Sequence, residues 1–321
     1  MAWLLSLGDI IHNTLVFSTA LILAAVGGVF SERSGVVNIA LEGLMIVGAF
    51  AGAVTAIFLG EGAGWGDAAP YVALAVAALA GMLFALLHAV ATVTFRADQV
   101  VSGVALNFLA FGFTIFMVKL LFDGAAQTTT IQHPLSEWRI PVLSEIPVIG
   151  RALFVAYPTT YLAFLAVAAA YFVLWKTPFG LRLRAVGEHP RAADTLGIHV
   201  QRIRYYAVLI SGALAGLGGA SVALTTTSNF SHSTIAGQGF IALAAMIFGK
   251  WHPVGAMLAA LFFGLTQAAR TIIQVLGLAK VVPVDLINLL PYVVTILVLA
   301  GVVGRAEAPA ALGKPYVKGG R

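Results

Sequence analysis

Apolar residues fall into nine runs, at roughly 11–30, 36–59, 70–94, 99–122, 158–175, 205–227, 237–249, 253–276 and 284–304. A bilayer core of ~30 Å needs about 20 apolar residues per crossing helix, and all but the seventh run approach that length. The seventh is too short to cross alone and reads as a broken or half-depth helix. The second span places Glu42 about 10 Å from one end, on a rise of ~1.5 Å per residue. Two long polar gaps interrupt the runs. The first, 123–157, carries QTTT, three prolines and Trp138, and predicts an external loop with a short interfacial element. The second, 176–204, is densely charged. The end of the chain, 305–321, is rich in Gly, Ala, Pro and Lys and is expected to be mobile. The expected fold is therefore an all-α polytopic membrane protein of about nine (8–10) transmembrane helices, with a membrane domain over 1–304 and a tail over 305–321.

Composition narrows this further. The chain is 60% hydrophobic and 10% charged, with 34 glycines and a mean hydropathy of +0.97. Soluble domains are nearer 45–50% apolar, and glycine is more frequent in transmembrane helices. The length would allow two soluble domains, but the apolar runs make one polytopic domain. With no cysteines, disulfides, Cys-ligated zinc and iron–sulfur chemistry are excluded. A pI of about 9.6 raises nucleic acid as a partner. The cations instead sit in the gaps between spans, as the positive-inside rule expects, so lipid is the expected environment and no nucleic acid is. The start of the chain lacks a basic region and a clear cleavage site, so no signal peptide is expected.

If nine spans alternate, Arg33, Arg96, the 176–204 run, Lys250, Arg305, Lys314, Lys318 and Arg321 share one side. That side holds thirteen of the eighteen Lys and Arg residues and is assigned to the cytoplasm. The N-terminus is then outside and the C-terminus inside.

Within the charged gap, Pro178 and Gly180 close the fifth span. His189-Pro190-Arg191-Ala192-Ala193-Asp194-Thr195-Leu196-Gly197 then has proline at a helix start and glycine past its end. This predicts two turns over 190–196, with Ala192, Ala193 and Leu196 as an apolar face and an Arg191–Asp194 pair. So short a helix is marginal alone and must be held by neighbours. One reading is a surface helix in an ordinary positive-inside loop. The other is insertion into a partner's groove.

The segment TPFGLRLRAVGEHPRAADTLGIHV, followed by YAVLISGALAGLGGA, resembles the cytoplasmic signature of bacterial ABC importer permeases of the branched-chain amino acid, ribose and nucleoside group. RSGVVNIALEGLMIVGAF (33–50), DQVVSGVALNFLA (98–110) and GQGFIALAAMIFGKWHPVGA (237–256) extend the likeness over most of 30–275. NIALEGLM and FGKWHPVGA look most like the shorter permease of nucleoside or simple sugar importers. The resemblance implies a type II-like permease bundle whose 190–196 segment is a coupling helix docking on a separate ATP-binding subunit. It assigns coupling to Gly187, Glu188, His189, Pro190, Arg191, Asp194, Leu196 and Gly197. It further implies a bacterial cytoplasmic (inner) membrane, a second related permease, an external substrate-binding protein, and ATP and Mg held by the partner, with no cofactor on this chain.

Polar residues inside the spans are candidates for the solute path: Asn38, Glu42, Asn107 and Gln238, with Thr225–Asn229 near an external end. An intramembrane acid is costly and faces the bundle or a wet cavity. For Glu42 a gate and a structural contact, perhaps with a helix N-terminus, stay open. For Asn107 and the threonines the alternative is interhelical hydrogen bonding. Gly48-x-x-x-Gly52 and Gly212-x-x-x-Gly216 permit close helix packing.

Gly249-Lys250 is followed by Trp251, so no phosphate cradle of the G-x-x-x-x-G-K-[ST] type is present. The sequence therefore predicts a permease subunit without its own ATPase, moving a nucleoside or purine-like solute. A simple sugar or branched-chain amino acid is the alternative solute. In another class, an ion-coupled secondary transporter would use Glu42.

Overall fold

A computed structural model describes residues 2–146, 150, 153–275, 289, 293 and 307–318. In chain order the helices are α1 (Ala2–Arg33), α2 (Leu41–Ile57), α3 (Ala69–Ala89), α4 (Gln99–Leu121), α5 (Pro158–Lys176), α6 (Pro178–Glu188), α7 (Pro190–Thr195), α8 (Val200–Ser221), α9 (Gln238–Phe248) and α10 (Pro253–Val275). α2, α3 and α8 each continue into one π-helical turn. Among the described residues, six helices are long and apolar enough to cross a membrane, so the protein is multi-pass. The ninth predicted span, 284–304, lies almost entirely outside the described residues, as does most of the interval before it.

α1 is the hub. Every residue from Ser18 to Glu32 is buried, the signature of a helix apolar on all sides and surrounded by others. The helices around it turn one face outward. Phe108 is 73% exposed on α4 and Leu165 65% on α5, an apolar surface suited to lipid rather than water. Between α2, α3 and α8 the packing relies on missing side chains. A Cβ at Gly48 would lie 2.2 Å from the Gly216 carbonyl oxygen, and one at Gly81 would lie 2.3 Å from that of Gly212. Backbones in such contact gain dispersion that bulkier residues would forbid.

Three sequence expectations change. The second span does not start at 36: residues 34–40 form turns and irregular backbone, and the helix begins at Leu41. Glu42 is therefore in its first turn rather than about 10 Å along it. The 176–204 gap contains a helix before α7. Thr177 accepts from the Gly180 N–H at 3.2 Å and Pro178 occupies the first turn, so the residues that end α5 also start α6. The loop 123–157 carries a two-stranded antiparallel sheet, β1 (Trp138–Arg139) with β2 (Val155–Ala156), a small departure from an all-α chain. This loop is stitched to the end of α8 by Thr128 N–H to Phe230 O, Ile131 N–H to Ser228 O and Leu135 N–H to Leu224 O.

Candidate functional site: a cationic end linked to a polar cavity

Among the described residues, the cations grouped by the sequence gather at one end of the bundle; Arg305 and Arg321 lie outside the described residues. Arg33 closes α1 there, where its Nε donates to Trp251 O at 2.9 Å and its Nη2 to Lys250 O at 3.1 Å. Arg33 also faces Glu188 at 4.0 Å, at the end of α6. The opposite end holds His12 against Glu137, Asp67 against His133, and Trp138 Nε1–H donating to Tyr71.

At the cationic end, α7 forms as its sequence dictates. Pro190 is in the first turn and Leu196 caps the end. Gly197 follows at φ +81°, a conformation only glycine adopts without strain. The Ile198 N–H returns to Ala193 O and the Gly197 N–H to Asp194 O, the paired bonds of a Schellman motif. Ala193 alone of the predicted apolar face is buried; Ala192 is exposed and Leu196 is 81% exposed. Gly187 is buried because α6 crosses the end of α1 there, and a Cβ would lie 2.0 Å from Arg33 O. Glu188 and Pro190 are half-buried, while His189, Arg191 and Gly197 are exposed. The Arg191–Asp194 ion pair does not form. Asp194 instead meets the hydroxyl of Tyr316, and burial together with that carboxylate holds the Tyr316 hydroxyl above its ordinary range.

Tyr316 belongs to the tail, and the described part of the tail is bound rather than loose. Ala311 N–H donates to Gly187 O at 2.9 Å and Gly313 N–H to Gly35 O at 3.2 Å. Arg204, 1% exposed, donates from Nη1 to Lys314 O at 3.0 Å. Composition alone hid this, because the anchors are main-chain groups.

The predicted path residues divide into two sets. Asn38 is fully buried and donates to Ser211 Oγ at 2.8 Å. Asn107 accepts from Gly43 N–H at 2.7 Å and donates to Ile39 O at 3.0 Å. Glu42 accepts Gly237 N–H on Oε1 and Gly239 N–H on Oε2, both at 2.7 Å. It thus places an anion on the N-terminus of α9, where the helix dipole favours one. Gln238, next to those amides, lines a cavity of about 90 Å³ with Ser221, Thr225, Thr226, Thr227, Thr234 and Gln267. Val16, Phe17 and Ala20 of α1 form its apolar wall.

α9 is held at its other end too. The indole of Trp251 donates to Glu32 Oε2 at 2.6 Å, and both Lys250 and Trp251 turn at positive φ where Arg33 donates to their carbonyls. The sequence reading passed over Glu32, although a second acid ten residues before Glu42 in an apolar region was a usable signal. A short helix with an acid at each end therefore spans from the cavity to the cationic end.

Residues 10–299 match the family described as branched-chain amino acid transport system, permease component. The chain is 54% identical over 316 residues to the guanosine ABC transporter permease protein NupQ of Bacillus subtilis (strain 168), covering 98% of each chain. It is 48% identical over 311 residues to the nucleoside ABC transporter permease protein NupC of Lactococcus lactis subsp. cremoris (strain MG1363), covering 96% of each. It is 29% identical over 262 residues to a second guanosine ABC transporter permease protein of the same Bacillus, NupP, covering 79% of this chain and 71% of that one. No solved structure gives a significant match. The chain belongs to the family of branched-chain amino acid transport system permease components.

Proposed function

We infer that this chain is the permease subunit of an ATP-driven importer of nucleosides, with ATP and Mg held by a separate ATPase subunit. The observation that carries the reading is the cavity beside Gln238, whose hydroxyl and amide wall suits the sugar hydroxyls and base edges of a nucleoside. The names of the relatives at 54% and 48% identity favour the same solute class. At about 90 Å³ the cavity has room for roughly three waters at ~30 Å³ each. Ligand pockets usually run to about 300–1,000 Å³, so the path is closed and transport requires α1, α8, α9 and α10 to part.

Force for that movement enters at α7, which acts as the coupling helix on the cytoplasmic side. A contiguous set of contacts leads inward: Glu188 to Arg33, Arg33 to the Lys250–Trp251 turn, then α9 to Gln238. ATP binding on the partner shifts α7, and α9 carries the shift to the cavity. One organism holds two related guanosine permeases, which favours a pair of unlike permeases over two copies of this chain. An external binding protein delivers the solute from the opposite end. Ion-driven transport is disfavoured, because Glu32 and Glu42 are both committed to internal donors.

The test is the dependence of uptake on nucleoside concentration in vesicles containing the assembled importer. Gln238→Leu removes one neutral hydrogen bond of about 0.5–1.5 kcal/mol and should raise KM up to roughly tenfold with ATPase assembly unchanged. An unaltered KM would remove Gln238 from the path.

A further inference from the structure

Beside α7, on the side facing the tail, lies an open cavity of about 620 Å³. Its walls come from two distant parts of the chain: Arg191 and Ala192 from α7 with His189 just before it, and Lys314, Pro315 and Val317 from the tail. The tail alternates in burial. Pro309, Ala311 and Tyr316 face inward, whereas Ala310, Lys314, Pro315 and Val317 are exposed. Its backbone is tied to three elements: Gly35 before α2, Gly187 in α6 and Arg204 in α8. The outward groups are thereby fixed next to α7.

Charge selects the occupant. Glu188 and Asp194 are engaged internally, by Arg33 with the Ala310 N–H and by Tyr316 respectively. Arg33 offsets Glu188, and Arg191, Lys314 and Lys318 outnumber Asp194 and Glu307, which leaves the rim weakly cationic. Lys314 Nζ holds the Ala310 carbonyl at 2.8 Å, which keeps that charge in place.

We propose that the tail segment 307–318 is part of the ATPase docking surface, and that the cavity between it and α7 receives an acidic segment of the ATPase subunit. The proposal rests on α7 being the coupling helix and extends that interface onto the tail. With the tail clamped to Gly35 and Arg204, an ATPase bound there pushes on the starts of α2 and α8 as well as on α7. Lys314, Pro315 and Val317 then contribute contact and charge complementarity, which steers association and sets register.

The chain's lack of cysteine makes the test direct. Single variants Val317→Cys and Arg191→Cys change exposed positions, and Trp65→Cys, at the opposite end and 52% exposed, serves as the control. Each is reconstituted in lipid nanodiscs with the second permease, and maleimide labelling is timed with and without the ATPase subunit. With ATPase at about ten times its Kd, roughly ten elevenths of the sites are occupied, so a covered thiol should react about tenfold more slowly. The expected result is slowing at both 317 and 191 and none at 65. Slowing at 191 without slowing at 317 overturns the tail proposal and leaves the coupling assignment standing. No slowing at 191 overturns the coupling assignment, and with it the extension.

Discussion

Replacing Glu42 separates a structural acid from a transporting one. Its two oxygens each take a backbone amide of the α9 N-terminus at 2.7 Å, and the residue is 8% exposed. Hydrogen bonds to charged groups contribute about 1.5–3 kcal/mol each, so Glu42→Ala should cost about 3–6 kcal/mol by leaving both amides unpaired. Water cannot readily substitute, because α9 sits on α2: a Cβ at Gly239 would lie 2.4 Å from the Glu42 backbone. Glu42→Gln keeps one oxygen and should cost about half as much. Hydrogen exchange of the amides at 237–241 in nanodiscs reads the effect locally. A loss of 3–6 kcal/mol corresponds to about a hundredfold to ten-thousandfold faster exchange at these amides. Unchanged exchange in Glu42→Ala would refute the capping argument. Full protection in Glu42→Gln combined with lost uptake would instead place the carboxylate on the solute path.

Gly48→Ala should destabilise by about 1–3 kcal/mol through overpacking, because its Cβ would meet Gly216 O at 2.2 Å; thermal unfolding against Gly62→Ala, a position with open space, measures it. Arg204→Met removes the side chain that holds Lys314 O without leaving a charge buried. Chymotrypsin cleavage after Tyr316, which is buried while the tail is held, should then accelerate relative to the unaltered protein, as read by mass spectrometry. His252, its ring 4.6 Å from that of Trp175 and tilted 56° to it, is held below the usual histidine range by burial and then by Arg33. A histidine with a depressed folded pKa stabilises the fold above its unfolded value of about 6.5, and that contribution is lost as pH falls through the folded value. Melting temperature should therefore drop on acidification below about pH 6.5, and His252→Gln should flatten that drop.

What the sequence revealed and concealed follows from the range of the interactions. Apolar run length located the helices because a bilayer imposes a fixed span. The short α7 was legible because Pro190 and Gly197 are local signals. The α6 start was equally local, but Pro178 was taken only as an end, when it both ends α5 and begins α6. The tail was misjudged because Ala311 and Gly313 bind through backbone atoms, which composition does not encode. Asn38 and Asn107 were visible as polar groups, yet only the coordinates show them facing Ser211 and Ile39. Glu42 illustrates the limit most clearly: a partner almost two hundred residues away decides between gate and cap.

The central claim is that this chain moves its solute only when an ATPase drives it. The direct measurement is uptake of radiolabelled guanosine by proteoliposomes holding this chain, its partner permease and the ATPase subunit, with the binding protein outside and ATP within. Uptake that requires ATP, stops when the ATPase is omitted and is indifferent to proton or sodium gradients is the predicted result. Uptake that continues without the ATPase and follows an ion gradient would contradict it.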